Sequence, residues 1–206
     1  MEAMAQNTDP DEEVSPHVAK HAIREAHRRA ARLLSFGSSV MYAEHGSVLN
    51  EQSILAIDDL VSFAIHVRRA LDVLGAKSQF VDLTLINGRS PVATKYINDP
   101  TVETDISFLE LLSRVVHSKR LGISMTEAET ERTIKARRSL LMARDFYPHH
   151  FWVKSDRPGF FTVCIESFVL TYLQHVEPKL DTLCWEAGFV SPNEEHFHIK
   201  KPKEPE

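Results

Sequence analysis

One long apolar segment constrains the fold of this chain more than any other feature. Residues 50–74 carry apolar side chains at helical spacing around most of the helix circumference, and Gly75 follows as a C-terminal stop. The apolar positions are Ile54, Ile57, Leu60, Val61, Ala64, Ile65, Val67, Leu71 and Leu74. A helix that is apolar on nearly every side has to be surrounded by other elements. The sequence therefore predicts a central core helix.

A second helix is predicted near the start of the chain. Ser15 is a suitable N-cap, Pro16 suits the first helical position, and Gly37 can end the helix. Apolar residues recur at helical spacing between them, and the opposite face is basic, with Lys20, Arg24, Arg28 and Arg32. This pattern indicates an amphipathic helix over residues 15–37 that packs one face on the core.

The period of the pattern changes after the central helix. Residues 81–85 alternate apolar and polar side chains, Asn87-Gly88 interrupts them, and the pattern resumes over 92–97. Asn-Gly between β-prone segments is typical of a hairpin, and Pro91 favours an edge position for the return strand. We therefore expect a β-hairpin over about 80–98. Its free edge is a candidate binding site for a protein partner.

The rest of the pattern indicates further helices. Helical spacing returns over residues 104–122, and Thr126 with Glu129 forms a capping box for a helix that extends to 146. Two more helices are expected over 160–176 and from Pro178 to Gly188. The sequence thus predicts an all-α fold, a five- or six-helix bundle with one inserted β-hairpin.

We expect a single domain over residues 15–188. Residues 1–14 are acidic and without periodicity, which predicts a disordered arm, and residues 189–206 are expected to form a loose charged tail. No apolar segment approaches the roughly 18 residues that span a bilayer, and the acidic start has no signal-peptide pattern. Cys164 and Cys184 lie in apolar segments and form no C-x-x-C pair, so we expect buried free thiols. These features predict a cytoplasmic protein with no membrane partner.

Charge does not decide the class of partner. The net charge of −5 is unlike that of a general nucleic-acid coat protein. The acid, however, is concentrated in the first fourteen residues, and basic residues cluster elsewhere. A cluster of basic residues close to an aromatic segment is typical of an RNA-binding groove, and it is also typical of a solvated helix face. The candidate RNA-binding residues are Arg137, Arg138, Lys154 and Arg157.

The segment from Met142 to Trp152 combines residues suited to phosphodiester chemistry. Arg144, Asp145 and His149 form the pattern R-D-x-x-x-H, and His150 satisfies a longer spacing. A guanidinium can bind a phosphate through two hydrogen bonds, and an imidazole can transfer a proton near neutral pH. The alternative is a helix end followed by an aromatic turn, in which the same side chains have only a structural role.

The R-D-F-Y-P-H segment resembles the R-x(4–6)-H signature of HEPN-domain proteins. The resemblance implies an all-helical bundle and, in many members, a dimeric, metal-independent endoribonuclease of toxin–antitoxin or anti-phage defence systems. It implies that Arg144 binds the phosphate, that His149 is the general acid and base, with His150 as an alternative, and that Asp145 orients them. RNA and a second copy of the chain are then the expected partners. Because Pro148 would disrupt a continuous helix, this sequence departs from the expected display of the pair on a helix.

Two further expectations complete the prediction. His17, His21 and Glu25 share one helix face, but no second cluster completes a metal site, so we expect neither a metal nor another cofactor. Whether the chain is an enzyme stays open at this point. The alternative to a ribonuclease is a non-catalytic helical module that binds a protein partner.

Overall fold

The computed structural model of the protein describes residues 16–42, 46–86, 93–96, 101–103, 106–128, 145–157 and 159–186. Its helices are α1 (Pro16–Gly37), α2 (Gly46–Val73), α3 (Phe108–Val116), α4 (Ile165–Thr171) and α5 (Glu177–Glu186). A π-helical turn (Tyr172–Val176) joins α4 and α5 into one continuous rod, so four helical rods are described. The strands are β1 (Met41–Tyr42), β2 (Ala93–Tyr96), β3 (Thr101–Glu103), β4 (Ser118–Ala128), β5 (Asp145–Ser155) and β6 (Phe160–Cys164).

The predicted all-α bundle with one inserted hairpin is wrong, because the helices pack on an antiparallel sheet. Most of the pairing in this sheet belongs to β4, β5 and β6. Most of β4 and all of β6 occupy segments expected to be helical, whereas most of β5 follows the predicted helix end at residue 146. Burial in β5 has period two: Phe151, Val153 and Ser155 are buried, Trp152 is half-buried and Lys154 is exposed. Aromatic and β-branched residues favour such a pleated, one-sided surface.

The strand order follows from the pairing. β5 pairs with β4 along one edge and with β6 along the other, and the order continues from β6 to β2 and β3. Residues 145 and 146 pair with both β1 and β4. A strand has only two edges, so β1 lies on the same edge of β5 as β6. Among the described strands, β4 and β3 are the outermost.

The hairpin is found at a different place from the predicted one. β2 pairs with β3, with Lys95 opposite Val102. Residues 81–86 form no strand, and Thr84 makes only an isolated bridge to Ser107. The predicted turn at Asn87-Gly88 lies outside the described residues. Most of the helix predicted over 126–146 also lies outside the described residues, and the two ends of that segment belong to β4 and β5. The predicted N-terminal arm (1–14) and C-terminal tail (189–206) lie outside them as well.

The two long N-terminal helices are confirmed, and α2 lies at the centre of the core. Its fully buried side chains are Leu60, Phe63, Ala64, Val67, Ala70 and Leu71. Phe168 of α4 connects the helices to the sheet, because its ring centroid lies 5.3 Å from that of Phe63, 5.4 Å from Phe108 and 5.7 Å from Phe151. The helices therefore cover the face of the sheet that carries Phe151 and Val153.

Two smaller expectations can also be compared with the structure. Cys164 and Cys184 are both free and buried, as predicted. Within the described part of the chain, no helix combines the length and apolar character needed to cross a bilayer.

Candidate nucleic-acid interface

The predicted catalytic segment lies at the entry to β5 and not at a helix end. Asp145 is the first residue of this strand, and its backbone pairs with Tyr42 and Ala128. His149 and His150 follow within the strand, and both are half-buried. Arg144 and the side chain of Asp145 lie outside the described residues. Catalysis by these residues stays a prediction.

A β-bulge interrupts the strand at the two residues before His150. Ser124 of β4 pairs with His150, but Thr126 pairs with Tyr147, so β5 has one residue more than β4 over this interval. A bulge accommodates Pro148, which has no amide hydrogen for a regular ladder.

Two of the four predicted RNA-binding residues are described. Lys154 lies near the end of β5, Arg157 follows in the turn to β6, and both side chains are exposed. Arg137 and Arg138 lie outside the described residues.

Trp152 forms an aromatic surface on the face of the sheet opposite the helices. It pairs with Gly122 of β4, and a Cβ added to Gly122 would lie 2.6 Å from the indole Cε2 and Cζ2 atoms. Carbon atoms normally approach to about 3.5–4.0 Å, so the indole lies directly on the glycine backbone. Only glycine leaves room for this arrangement. The half-buried indole keeps part of its surface open to solvent.

Basic residues border this aromatic surface toward one end of the sheet. Arg120 of β4 is directly opposite Lys154 of β5, and both are exposed. These two lie two positions from the Gly122–Trp152 pair, on the same face of the sheet. Two like charges directly opposite each other on neighbouring strands destabilise a sheet. The pair therefore concentrates exposed positive charge beside the indole.

Further basic residues meet at the same end of the sheet. Arg114 of α3 is buried, and its Nη1 donates to Oγ of Ser155 at 3.3 Å. Oγ of Ser155 also accepts the backbone N–H of Arg157 at 3.3 Å. His117, after α3, accepts a hydrogen bond of 3.0 Å from Nη1 of Arg68 on Nε2. We define the basic sheet end as Arg68, Arg114, His117, Lys119, Arg120, Lys154 and Arg157.

The basic sheet end has an excess of positive charge. Six of its residues are arginine or lysine, and two carboxylates form ion pairs with them. Glu110 is 2.9 Å from Nη2 of Arg114, and Asp156 is 2.6 Å from Nζ of Lys119. Arg120, Lys154 and Arg157 are exposed and available to an anionic ligand.

The sequence analysis missed most of this surface. Residues 117–120 read His-Ser-Lys-Arg, and their position near the end of a predicted helix gave no sign that Arg120 belongs to a binding surface. The alternation of Leu121, Gly122 and Ile123 was the available signal that these residues belong to a strand. The partner of Trp152 is Gly122, thirty residues earlier, and no local pattern indicates such a pairing.

A separate histidine pair lies between α1 and α2. The ring centroids of His21 and His66 are 6.1 Å apart in an edge-on arrangement. Burial is the largest cause that lowers the pKa of His66, Glu25 opposes it, and His21, Arg29 and Arg69 lower it further. Nδ1 of His66 is buried with no hydrogen-bond partner among the described residues. The same part of the chain contains no group of three side chains that could hold a metal ion.

Comparisons of the chain with protein-family models, with curated proteins and with solved structures found no match.

Proposed function

We propose that the protein binds single-stranded RNA across the basic sheet end, with one base stacked on Trp152. The observation that carries this proposal is the indole packed against Gly122 beside the opposed cations Arg120 and Lys154. An aromatic side chain on a sheet face, flanked by positively charged residues, is a common platform for unpaired nucleobases. Stacking accepts any base, so the proposal concerns RNA as a class and not a sequence.

The spacing of these groups suits one nucleotide step. Lys154 is two residues from Trp152 along β5, which corresponds to roughly 6.6 Å at about 3.3 Å per residue. A base on the indole can therefore place its phosphate near Lys154 and Arg120. Both cations are exposed, so contact with a phosphate requires little loss of solvent. Arg157 extends the positive surface into the turn after β5.

RNA cleavage is a further step of the proposal. Its residues are Arg144, Asp145, His149 and His150, and no metal is required because RNA supplies its own 2′-hydroxyl nucleophile. The bulge at Pro148 supports a specialised role for this segment, since bulges are enriched beside active sites and redirect side chains. A homodimer, a cytoplasmic location and a role in toxin–antitoxin or phage defence belong to the same proposal. The buried free thiols suit a reducing compartment.

Fluorescence anisotropy of a labelled, mixed-sequence single-stranded RNA tests the binding. Trp152→Ala should weaken binding roughly 5- to 150-fold, because base–aromatic stacking contributes about 1–3 kcal/mol. Arg120→Gln/Lys154→Gln should weaken it roughly 25-fold, at about 1 kcal/mol for each lost phosphate contact. The matched control is Arg28→Gln/Lys179→Gln, which removes the same charge from α1 and α5. Equal losses in the control and the test variant would refute a localised RNA site.

A cleavage assay in EDTA tests the catalytic step separately. The proposal predicts products with 2′,3′-cyclic phosphate ends from the wild type and their loss in Arg144→Ala and His149→Ala. Binding without cleavage by the folded wild-type protein would reject the nuclease and retain the RNA site.

A protein-binding module is the second candidate function. β3 is an outermost strand among the described ones, and an unpaired strand edge can accept a strand from a partner. Val102→Pro removes a backbone N–H from β3 and disrupts its strand geometry. Binding of a partner through β3 should be lost in this variant, whereas RNA binding should be unchanged. Loss of both activities would indicate general misfolding.

A further inference from the structure

A small cavity lies under the basic sheet end, where α3 leads into β4 and β5 turns toward β6. Its volume is about 180 Å³, and it is lined by Ser113, Arg114, His117, Ser155, Asp156 and Arg157. At roughly 30 Å³ per water molecule, it has room for about six waters. This volume suits one small anion with its hydrating water.

Arg114 is the most informative residue of the cavity, because its side chain is only 5% exposed. Its Nε and Nη2 lie 3.0 and 2.9 Å from Oε1 of Glu110, and its guanidinium carbon is 4.5 Å from the centre of the Phe161 ring. These contacts and the bond to Ser155 fix the guanidinium in one orientation. They involve three of its five N–H groups among the described residues, so two donors remain for a ligand.

Two neutral side chains of the cavity also have donors available. Oγ of Ser155 accepts from both Arg114 and Arg157, so its own O–H hydrogen remains to donate. Arginine can only donate, so the bond from Arg68 fixes Nε2 of His117 as an acceptor. The proton of a neutral imidazole then lies on Nδ1, which becomes a second donor.

The charges around the cavity favour an anion. Arg114 and Arg157 line it, Arg68 contacts its histidine, and Lys119 pairs with its aspartate. The opposing carboxylates are Glu110 and Asp156, and each is already paired with a cation. Four positive charges against two negative ones leave an excess that matches a dianion. Rigid, convergent donors with few free acceptors are characteristic of oxyanion recognition.

We propose that this cavity is a binding site for a phosphate dianion, either free or at the end of a larger molecule. Arg114 and Arg157 contribute charge, and the Ser155 hydroxyl and the His117 Nδ1–H fix the orientation of the anion. The site is distinct from the stacking surface, because Ser155 and Trp152 point to opposite faces of β5. Inorganic phosphate tests it without RNA.

The experiment is a calorimetric titration of the protein with inorganic phosphate, with chloride at matched ionic strength as the reference. Saturable binding is expected. Ser155→Ala should weaken it roughly 2- to 10-fold for one neutral hydrogen bond, and Arg157→Gln roughly 10-fold or more for a charged one. Ser38→Ala and Arg28→Gln are the matched controls and should bind like the wild type. No saturation by the folded wild-type protein, or equal losses in test and control variants, would overturn the proposal.

A second titration distinguishes the sources of the phosphate. An RNA with a 5′-phosphate is compared with the same RNA carrying a 5′-hydroxyl. Preference for the phosphorylated RNA, lost in Ser155→Ala, would assign the cavity to a nucleic-acid end. Equal affinity for both RNAs, together with inorganic phosphate binding, would assign it to a small phosphate compound. Arg114→Met is a supplementary variant, and its circular dichroism spectrum reports whether the buried charge is also needed for folding.

Discussion

Gly122→Ala is the most sensitive test of the arrangement of Trp152 on the sheet. The new methyl group would lie 2.6 Å from Cε2 and Cζ2 of the indole and 2.7 Å from Nε1. Normal carbon contacts are about 3.5–4.0 Å, so the indole has to move by roughly 1 Å. It is the outer part of a half-buried side chain, and it can move without displacing the core.

The free-energy change has two opposing contributions. Overpacking of this kind costs about 1–3 kcal/mol, and alanine is about 0.5–1 kcal/mol more favourable than glycine within a strand. The middle values of the two ranges leave a net destabilisation of about 1 kcal/mol. For a chain of this length, that lowers Tm by roughly 2–4 °C.

A double-mutant cycle makes the prediction specific. With Trp152→Ala in place, Gly122→Ala has no indole to displace and should stabilise by about 0.5–1 kcal/mol. The coupling energy between the two positions should be about 2 kcal/mol. Urea unfolding followed by circular dichroism measures all four variants. If Gly122→Ala were equally destabilising with and without the indole, the arrangement of Trp152 on Gly122 would be refuted.

Fluorescence gives an independent measurement of the same displacement. The chain has two tryptophans, and Trp185 is 62% exposed, so Trp185→Phe isolates the Trp152 signal at little cost in stability. In that background, Gly122→Ala should shift the emission of Trp152 to longer wavelength, because the displaced indole contacts more water. An unchanged spectrum would contradict the displacement.

The core, the histidine pair and the cysteines give three further predictions. Phe168→Ala should lower the free energy of unfolding by about 3–5 kcal/mol, because Phe168 joins three other rings, whereas Trp185→Ala should change it by less than about 0.5 kcal/mol in urea titrations. The pKa of His66 is lowered by burial, so the unfolded chain binds its proton first as pH falls below about 6.5. Lowering the pH from 7.5 to 5.5 should therefore decrease Tm more in the wild type than in His66→Gln, as measured by thermal unfolding. An equal decrease in both proteins would refute the lowered pKa of His66. Cys164 and Cys184 should not react with a thiol reagent until the protein unfolds, because both are buried and burial, with a smaller contribution from Asp181, raises the pKa of Cys184. Rapid reaction of the native protein would contradict this.

The helices were predictable where the pattern was local and complete. In α1, cap, periodicity and terminal glycine are contained within 23 residues, and the predicted limits agree closely with the structure. In α2, helical spacing indicated the central position, which the burial of Phe63 and Val67 confirms. Ile54 and Ile65 are nevertheless 51% and 46% exposed, so the apolar circumference overstated the burial of this helix.

The sheet was missed because its strands depend on distant partners. Residues 160–164 are apolar and lead directly into helical residues 165–176, so one continuous apolar helix was the simplest interpretation. The change from strand to helix at Cys164 is determined by the pairing of β6 with β2 and β5. β2 is distant in sequence, and β5 is separated from β6 by a turn. Residues 118–124 were likewise assigned to a helix end, although their alternation fits pairing with β5.

The candidate site was predictable only in part. Lys154 and Arg157 were identified from charge close to aromatic residues, and both belong to the basic sheet end. Arg120 and Gly122 acquire their significance only from the register of β4 against β5, which brings Arg120 opposite Lys154 and Gly122 under Trp152. Arg114 was expected as an ordinary helix residue, since its burial depends on contacts with Glu110, Ser155 and Phe161.

The salt dependence of RNA binding tests the central claim most directly. Affinity falls as salt rises, and each phosphate neutralised on a single strand contributes about 0.7 to the magnitude of the negative slope of log K against log salt concentration. Contacts by Arg120, Lys154 and Arg157 predict a slope of about 2 for the wild type, or a loss of affinity of roughly 18-fold between about 50 and 200 mM salt. Arg120→Gln/Lys154→Gln should reduce the slope to about 0.7 and the loss to roughly 3-fold. A variant that binds RNA with the slope of the wild type would place the phosphate contacts elsewhere and contradict the account.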